Sequence, residues 1–338
     1  MNIVIYGYGS IGKHYYSLLD KKIFKNIYIV DKIFSQTIRK KNVHFIDDIH
    51  FKKITNNFNY AIICTPSNLH FQHAKYFLNK KTNVLIEKPF ALKFSHAKSL
   101  ILLSKKNKVR CWTVFQNRLN EPVILLKSLL QKNFFGKLQL IHCNLLWSRD
   151  KKYYSDDWHG RYKSDGGVLT NQAIHLLDVL IYLFGKIENF QGNLKFNKKK
   201  LESEDFISLN ITLSNNLPVS FLATTRSNKD YEMSIDVFGS TKRLKVGGLA
   251  LNKINFFDKN LNKKYANKNF ITKHGFGNKH KILLSNFLNL KNKDLFNLSI
   301  EKNHYLIKVI NSIYFHLSGV NNFKVNKNRS ILGYDKKK

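Results

Sequence analysis

Acidic side chains are scarce in this chain: 22 Asp and Glu stand against 57 Lys and Arg over 338 residues, a formal charge of +35. Such an excess ordinarily points to nucleic acid. The lysines, however, come as scattered pairs (Lys21-Lys22, Lys52-Lys53, Lys80-Lys81, Lys105-Lys106, Lys151-Lys152) and form no basic face or arm. Asn, Ile and Phe are abundant too, and an AT-biased coding sequence accounts for all four residue types at once. No nucleic-acid partner is therefore expected, although the charge would still attract an anionic substrate. Cysteine is limited to Cys64, Cys111 and Cys143, each in an apolar strand-like run and none in C-x-x-C spacing. That argues against a disulfide framework or a metal site and for reduced, buried thiols in a cytoplasmic protein. No apolar run approaches the roughly 20 residues that span a bilayer. The first strand begins at Asn2, which leaves no room for a signal peptide, and no internal repeat is visible. A cytoplasmic protein of two domains with no membrane partner is the expectation at this length.

The first half alternates strand and helix. Asn2–Tyr6 reads as a strand, Gly7-Tyr8-Gly9-Ser10-Ile11-Gly12 matches G-x-G-x-x-G, and a helix follows to about Asp20. Gly7 allows the tight turn, Gly9 lets backbone approach a pyrophosphate, and Gly12 lets the helix pack closely on its strand. Ser10 and Ile11 open that helix, whose N-terminal N–H groups suit phosphates. The strand Asn26–Val30 ends in Asp31, placed to accept hydrogen bonds from a ribose and to repel a 2′-phosphate, which favours NAD over NADP. A helix-capping aspartate is the plain alternative. Val43–Ile46 and Tyr60–Cys64 read as further strands. Thr65-Pro66-Ser67 then lies at the sheet's carboxyl edge within reach of a cofactor, while His70 suits the first turn of the next helix better than any chemistry. The apolar run Asn83-Val84-Leu85-Ile86 leads into Glu87-Lys88-Pro89. Carboxyl ends of parallel strands are where open α/β sheets place ligands, so Lys88 points to a site. Pro89 restricts Lys88 to extended geometry and permits a cis bond. Taken alone, the tripeptide also reads as a strand-end turn with a solvated lysine. A helix near Ser95–Lys105 and the strand Val109–Phe115 complete a doubly wound parallel sheet that closes near Arg118. Residues 1–118 form the expected Rossmann domain and residues 119–330 a second, α/β domain.

In the second half, Pro122–Lys132 reads as a helix and Lys137–Ser148 as a long strand. The stretch from Tyr153 to Tyr162, with Trp158, His159 and Arg161, mixes rings and charges as a binding loop does, though an ordinary surface loop has the same composition. Gly166-Gly167 opens a helix that stops at Gly185. Asn171, His175 and Asp178 stand at i, i+4 and i+7, which predicts one polar stripe on an otherwise apolar helix. A satisfied core histidine is the plain alternative for His175. Strands at Phe206–Leu213, Leu217–Thr225, Tyr231–Phe238 and Thr241–Val246 predict an open, mainly antiparallel sheet, followed by helices near Lys279–Leu290 and Glu301–Leu317.

In this order the chain resembles the glucose–fructose oxidoreductase/inositol dehydrogenase (Gfo/Idh/MocA) family. The resemblance rests on GYGSIG from Gly7, CTPSNLHFQHA from Cys64, EKP from Glu87 and GGVLTNQAIHLLD from Gly166. Phe115-Gln116-Asn117-Arg118, the loop Asp156-Asp157-Trp158-His159-Gly160 and the run GFGNKH from Gly275 resemble a narrower branch, the UDP-N-acetylglucosamine-uronate 3-dehydrogenases of surface-polysaccharide (lipopolysaccharide) synthesis. The resemblance implies NAD as cofactor, homodimers or homotetramers, and Lys88 with His175 as the catalytic polar pair. It implies that Glu87 contacts the nicotinamide-side ribose and Gln116 lines the nicotinamide pocket. Two departures stand out: Asp165 where many relatives have a first glycine, and Asn171 where many have aspartate. For an anionic sugar substrate, Arg118, Arg149, His159 and Arg161 are the candidate cationic groups, Trp158 a stacking group, and Lys88, Asn171 and His175 further contacts. The competing reading pairs the arginines with Asp156, Asp157 and Asp165. The expected reaction moves a hydride between a sugar ring carbon and nicotinamide. A polyol, diol or imine enzyme on the same fold, or a non-catalytic NAD-binding regulator, is the alternative.

Overall fold

The computed structural model describes residues 1–195, 201–258, 279–289, 293–294, 296–317 and 332–333. Most of the GFGNKH run therefore lies outside the described residues. The chain divides into two compact units, Met1–Val114 with Lys281–Ile307, and Phe115–His280 with Lys308–Lys338. The division falls after Val114, where a boundary near Arg118 was expected, and it returns a C-terminal segment to the first unit.

The first unit is built on β1 (Asn2–Tyr6), β2 (Asn26–Val30), β3 (Ile38–Lys40), β4 (Val43–Ile46), β5 (Tyr60–Ile63), β6 (Asn83–Ile86) and β7 (Cys111–Thr113). They form one sheet in the order β3-β4-β2-β1-β5-β6-β7. All neighbours run parallel except β3, which pairs antiparallel with β4 at the edge. Ile3, Val4, Ile5, Ala61, Ile62 and Ile63 are all 0% exposed, because helices cover both faces of a parallel sheet. Each such Ile or Val contributes about 1.5–3 kcal/mol. The helices are α1 (Ser10–Leu18), α2 (Asp48–Lys52), α3 (His70–Asn79) and α4 (Phe94–Asn107). The returning segment is anchored where the Phe287 ring meets Tyr60 and Trp112, and where the Arg110 guanidinium donates to the carbonyls of Asn286, Phe287 and Asn289. Nothing local in the sequence announces those contacts.

The second unit carries α5 (Glu121–Gln131), β8 (Leu138–Leu146), α6 (Val168–Asn171), α7 (Ile174–Phe184), β9 (Ile187–Lys195), β10 (Phe206–Leu213), β11 (Pro218–Thr224), β12 (Glu232–Gly239), β13 (Arg243–Gly247) and β14 (Lys253–Phe257). Two further helices, α8 (His280–Leu288) and α9 (Ile300–Leu317), complete the described elements. The strands order as β14-β13-β12-β8-β11-β10-β9, antiparallel throughout except for the parallel pair β8–β11. β3, β9 and β14 were not among the expected strands. β9 alternates half-buried and exposed residues with few β-branched side chains, so its local pattern is weak.

Among the described residues, no helix is long and apolar enough to cross a membrane. Cys64, Cys111 and Cys143 are all buried free thiols, and burial pushes each well above the usual thiol range.

Candidate active site

The glycine loop sits where β1 gives way to α1. Gly7 has φ +100° and donates its N–H to Val30 O (2.8 Å). A Cβ on Gly12 would stand 2.0 Å from Gly7 O, so this helix can pass the loop only without a side chain there. A Cβ on Gly9, in contrast, would meet nothing within 4 Å. The backbone at Gly9 therefore faces open space, and α1 follows directly with Ser10 exposed and Ile11 half-buried. Asp31 is bound into the same loop. Its Oδ2 accepts from the Tyr8 N–H (2.5 Å) and its Oδ1 from the Ile33 N–H (3.1 Å). The aspartate thus caps a turn and also holds the glycine loop, with lone pairs left on each oxygen.

The ends of β5 and β6 are tied together by His70. Its ring is 1% exposed, with Nε2 2.7 Å from Thr65 O and Nδ1 2.8 Å from Pro89 O. Burial lowers its pKa to about 4, against the pull of the two carbonyls, each of which favours an N–H on the ring. Both nitrogens face protein carbonyls, which makes His70 a brace between the two strand ends. Thr65 and Pro66 are half-buried beside it and Ser67 is buried. The Lys88–Pro89 bond is cis. Glu87 is 8% exposed, its Oε1 accepting from the Tyr15 hydroxyl (3.1 Å) and its Oε2 from the Lys88 N–H (3.2 Å). Burial pushes that carboxyl up, while Lys88 and the two hydrogen bonds pull it back. The Lys88 side chain is half-buried at the strand end.

In the second unit the expected continuous helix after Gly167 is interrupted. The Ala173 N–H donates to Val168 O (2.7 Å), five residues back, and this wider turn separates α6 from α7. Asn171 therefore lies on α6, while His175 and Asp178 lie on α7. Asn171, at the end of α6, donates from Nδ2 to both oxygens of Asp165 (2.9 and 2.7 Å) and to the Tyr153 hydroxyl (3.0 Å). The two departures from the family pattern, Asp165 and Asn171, are thus hydrogen-bonded to each other. Tyr153 also accepts from Gln172 Nε2 (3.1 Å). Asp178 is 1% exposed and receives the Arg118 guanidinium through Nε (2.8 Å) and a second, shorter N–H contact. His175 is 8% exposed, its ring edge-on to Phe115 at 6.4 Å. Gln116 is buried, and its Oε1 accepts no hydrogen bond among the described residues.

The four candidate cations fare unequally. Arg118 is 4% exposed, paired with Asp178 and lying over the Phe115 and Tyr182 rings, which makes it a structural ion pair in this unit. Arg149 reaches Asp230 (3.2 Å) and lies over the Trp147 and Tyr153 rings. His159 pairs with Asp156 (2.5 Å), with its ring between Tyr153 and Trp158. Arg161 is exposed and its side chain pairs with no described residue. Asp156, Asp157 and Asp165 were the expected partners of the arginines, but Arg118 and Arg149 take Asp178 and Asp230, and Asp156 pairs with His159. Asp178 and Asp230 lie 60 and 81 residues from their arginines, too far to be seen in sequence.

Residues 1–115 match the oxidoreductase family with an NAD-binding Rossmann fold, and residues 123–245 match the GFO/IDH/MocA C-terminal domain. The chain belongs to the GFO/IDH/MocA oxidoreductase family. Among characterised relatives, glucose-6-phosphate 3-dehydrogenase of Bacillus subtilis is 29% identical over 197 residues, 54% of this chain and 56% of that protein. The chain spans about half the length of the curated relatives it matches first (43–56%). The fold is similar to the WlbA dehydrogenase from Bordetella pertussis, crystallised with NADH and UDP-GlcNAcA (TM-score 0.80, 22% identity, 92% of this chain and 93% of that one). It is also similar to levoglucosan dehydrogenase in complex with NADH (TM-score 0.75, 15% identity, 91% and 94%).

For a GFO/IDH/MocA chain the first unit fits a dinucleotide: it has open space at Gly9 and a carboxylate at Asp31. Asp31→Ala is expected to raise the NADH dissociation constant by about tenfold while raising that of NADPH less, since charge-assisted hydrogen bonds are worth about 1.5–3 kcal/mol. Fluorescence titration of both cofactors checks this, and tighter NADPH than NADH binding in the unaltered protein would overturn it. Tyr15, Tyr153 and Asp165 were not among the anticipated site residues. Asp165 had a signal, since it interrupts a glycine run. Tyr15 and Tyr153 had none, because their partners stand 72 and 18 residues away.

Proposed function

We propose that this chain is an NAD-dependent dehydrogenase that moves a hydride between a ring carbon of a sugar and nicotinamide. Its substrate is a UDP-linked N-acetylamino-sugar uronate oxidised at C3. The observation that carries the reaction class is the glycine loop with its open face at Gly9 and the Asp31 carboxylate bound to it, in a chain of this family. Two things support the substrate class. The relatives include a 3-dehydrogenase of a sugar phosphate, and a neighbour of similar fold was crystallised with a UDP-sugar uronate. Both sugars are anionic, and the chain carries +35.

When bound, NAD supplies the hydride acceptor. The rest is done by side chains and backbone of this chain. The N–H groups opening α1 hold the pyrophosphate. Asp31 accepts from the adenosine ribose, and Gln116 Oε1 accepts from a primary amide. His175 takes the proton of the sugar hydroxyl, and the Lys88 ammonium stabilises the oxygen that becomes anionic. With Arg118, Arg149 and His159 paired to aspartates, Arg161 is the remaining arginine of the predicted set for a phosphate or carboxylate.

Initial rates with NAD and UDP-GlcNAcA, UDP-GlcNAc, glucose 6-phosphate or inositol test the reading. UDP-GlcNAcA is expected to exceed the others in kcat/KM by about tenfold or more, because a site built around a polar group rejects analogues that lack it. Equal turnover of inositol or UDP-GlcNAc removes the uronate assignment. No turnover of any of them removes the sugar-dehydrogenase reading.

A further inference from the structure

α6 has only four residues, so its first N–H groups have no partners inside the helix and must find them outside. They do so on two residues remote in sequence, Glu204 and Tyr314. The Val168 N–H donates to Glu204 O (2.9 Å), the Leu169 N–H to Glu204 Oε1 (3.0 Å) and the Gly167 N–H to the Tyr314 hydroxyl (3.3 Å). The Tyr314 hydroxyl, which also accepts from Thr170 Oγ1 (2.9 Å), donates its own proton to Glu204 Oε1 (2.7 Å). Glu204 is 1% exposed and Tyr314 0%. The glycine at 167 follows from the same contact: a Cβ there would stand 2.1 Å from Glu204 Oε2. Glu204 is in turn held by the sheet, since its neighbour Asp205 donates its N–H to Lys195 O (3.2 Å), accepts at O from the Thr225 N–H (3.0 Å), and pairs with Arg226.

We propose that Glu204 is a positioning residue for the reaction: braced by the sheet and by Tyr314, its carboxylate fixes the first turn of α6 and thereby the backbone that carries Asn171 and leads into His175. This rests on the reading of His175 as the base. The partners of Glu204 lie 35 and 110 residues away in sequence. The titratable groups that face it are Tyr314 from α9 and Tyr162 from the loop before α6. Burial pushes the Glu204 carboxyl up to about 7, against the pull of the Tyr314 and Leu169 hydrogen bonds. A carboxyl raised in the folded state contributes stability that is complete below its unfolded value of about 4.5 and is lost as pH rises through about 7. The uncharged amide of Glu204→Gln keeps an acceptor for both donors and removes the titration.

The test uses the full chain with Glu204→Gln, Glu204→Ala, Gly167→Ala and the double variant Gly167→Ala/Glu204→Ala, with His175→Ala as control. Three quantities are read: the melting temperature from pH 5 to 8, turnover of UDP-GlcNAcA with NAD, and the His175 imidazole resonance, assigned as the one missing from His175→Ala. Glu204→Ala is expected to lower turnover about tenfold to a hundredfold through misplacement. It should shift the His175 resonance and leave the NADH dissociation constant within about twofold, as a positioning role requires. Glu204→Gln should restore turnover to within about threefold of the unaltered chain and flatten the decline of melting temperature with pH. Gly167→Ala and the double variant should both melt below the unaltered chain, because a Cβ at 167 meets the Glu204 carbonyl oxygen as well as its carboxylate. Glu204→Ala with an unmoved His175 resonance, or equal losses in the Gln and Ala variants, overturns the proposal. Should Glu204→Ala not fold, the pH profile of Glu204→Gln decides: a decline as steep as in the unaltered chain overturns it. If the unaltered chain does not turn over UDP-GlcNAcA, the substrate reading fails and the His175 resonance alone decides on Glu204. If His175→Ala turns over normally, the base reading fails, and the positioning role fails with it while the brace on α6 is still scored by melting.

Discussion

Lys88→Ala is expected to lower turnover by about a hundredfold or more, and His175→Ala by as much, the usual loss when a positioned acid–base group is removed. Lys88 is half-buried at the carboxyl end of β6, directly after a glutamate whose two oxygens are taken by Tyr15 and by the Lys88 N–H itself. Its backbone is therefore held on the Glu87 side, and on the Pro89 side by the His70 ring. Such a mount does nothing for a solvated surface lysine but is what a reacting ammonium needs. His175 stands in the first turn of α7, buried against Phe115. Both variants should bind NADH within about twofold of the unaltered chain, so the loss should lie in kcat, as for interactions made only in the transition state. Stopped-flow turnover and NADH fluorescence titration check it. Near-normal rates in either variant return that residue to a structural role.

Arg118→Met is expected to cost about 3–5 kcal/mol of stability, because it leaves the Asp178 carboxylate buried with its cation removed. Arg118 and Asp178 are 4% and 1% exposed, so solvent cannot take over the charge. The double variant Arg118→Met/Asp178→Leu should recover most of the loss, since burying neither charge avoids both desolvation penalties. Denaturant unfolding of the two singles and the double gives the coupling directly. A single-variant cost under about 1 kcal/mol would mean that the pair is no more than a surface salt bridge in effect. The same variant separates the two readings of Arg118. A substrate ligand would show in KM at unchanged stability, and a structural pair shows in stability first.

The Rossmann half was legible in detail because its signals are local. A G-x-G-x-x-G loop, apolar runs buried on both faces and an aspartate at the end of β2 are each written within a few consecutive residues, and the expected elements stand within a residue or two of their places, whereas β3 and α2 were not expected. The polar stripe Asn171, His175 and Asp178 was expected on one helix, and the structure divides it between α6 and α7 for a physical reason. A spacing argument assumes an unbroken 3.6-residue helix, and one wider turn at Ala173 changes the register of everything before it. Composition also misled for the cations, since an arginine reads the same in sequence whether it meets a ligand or a buried aspartate.

By itself, the sequence determined the main strands of the Rossmann sheet, the dinucleotide loop and the family. Those depend on backbone conformational preference and on side-chain chemistry, both carried by neighbours in the chain. Only the tertiary structure decided which polar groups are committed elsewhere: Arg118 to Asp178, Glu87 to Tyr15, His70 to two carbonyls, and α6 to Glu204 and Tyr314. Commitment is a matter of burial, because a polar group withdrawn from water must find a partner at hydrogen-bond distance. That partner is set by packing between segments up to 110 residues apart, which no local pattern encodes.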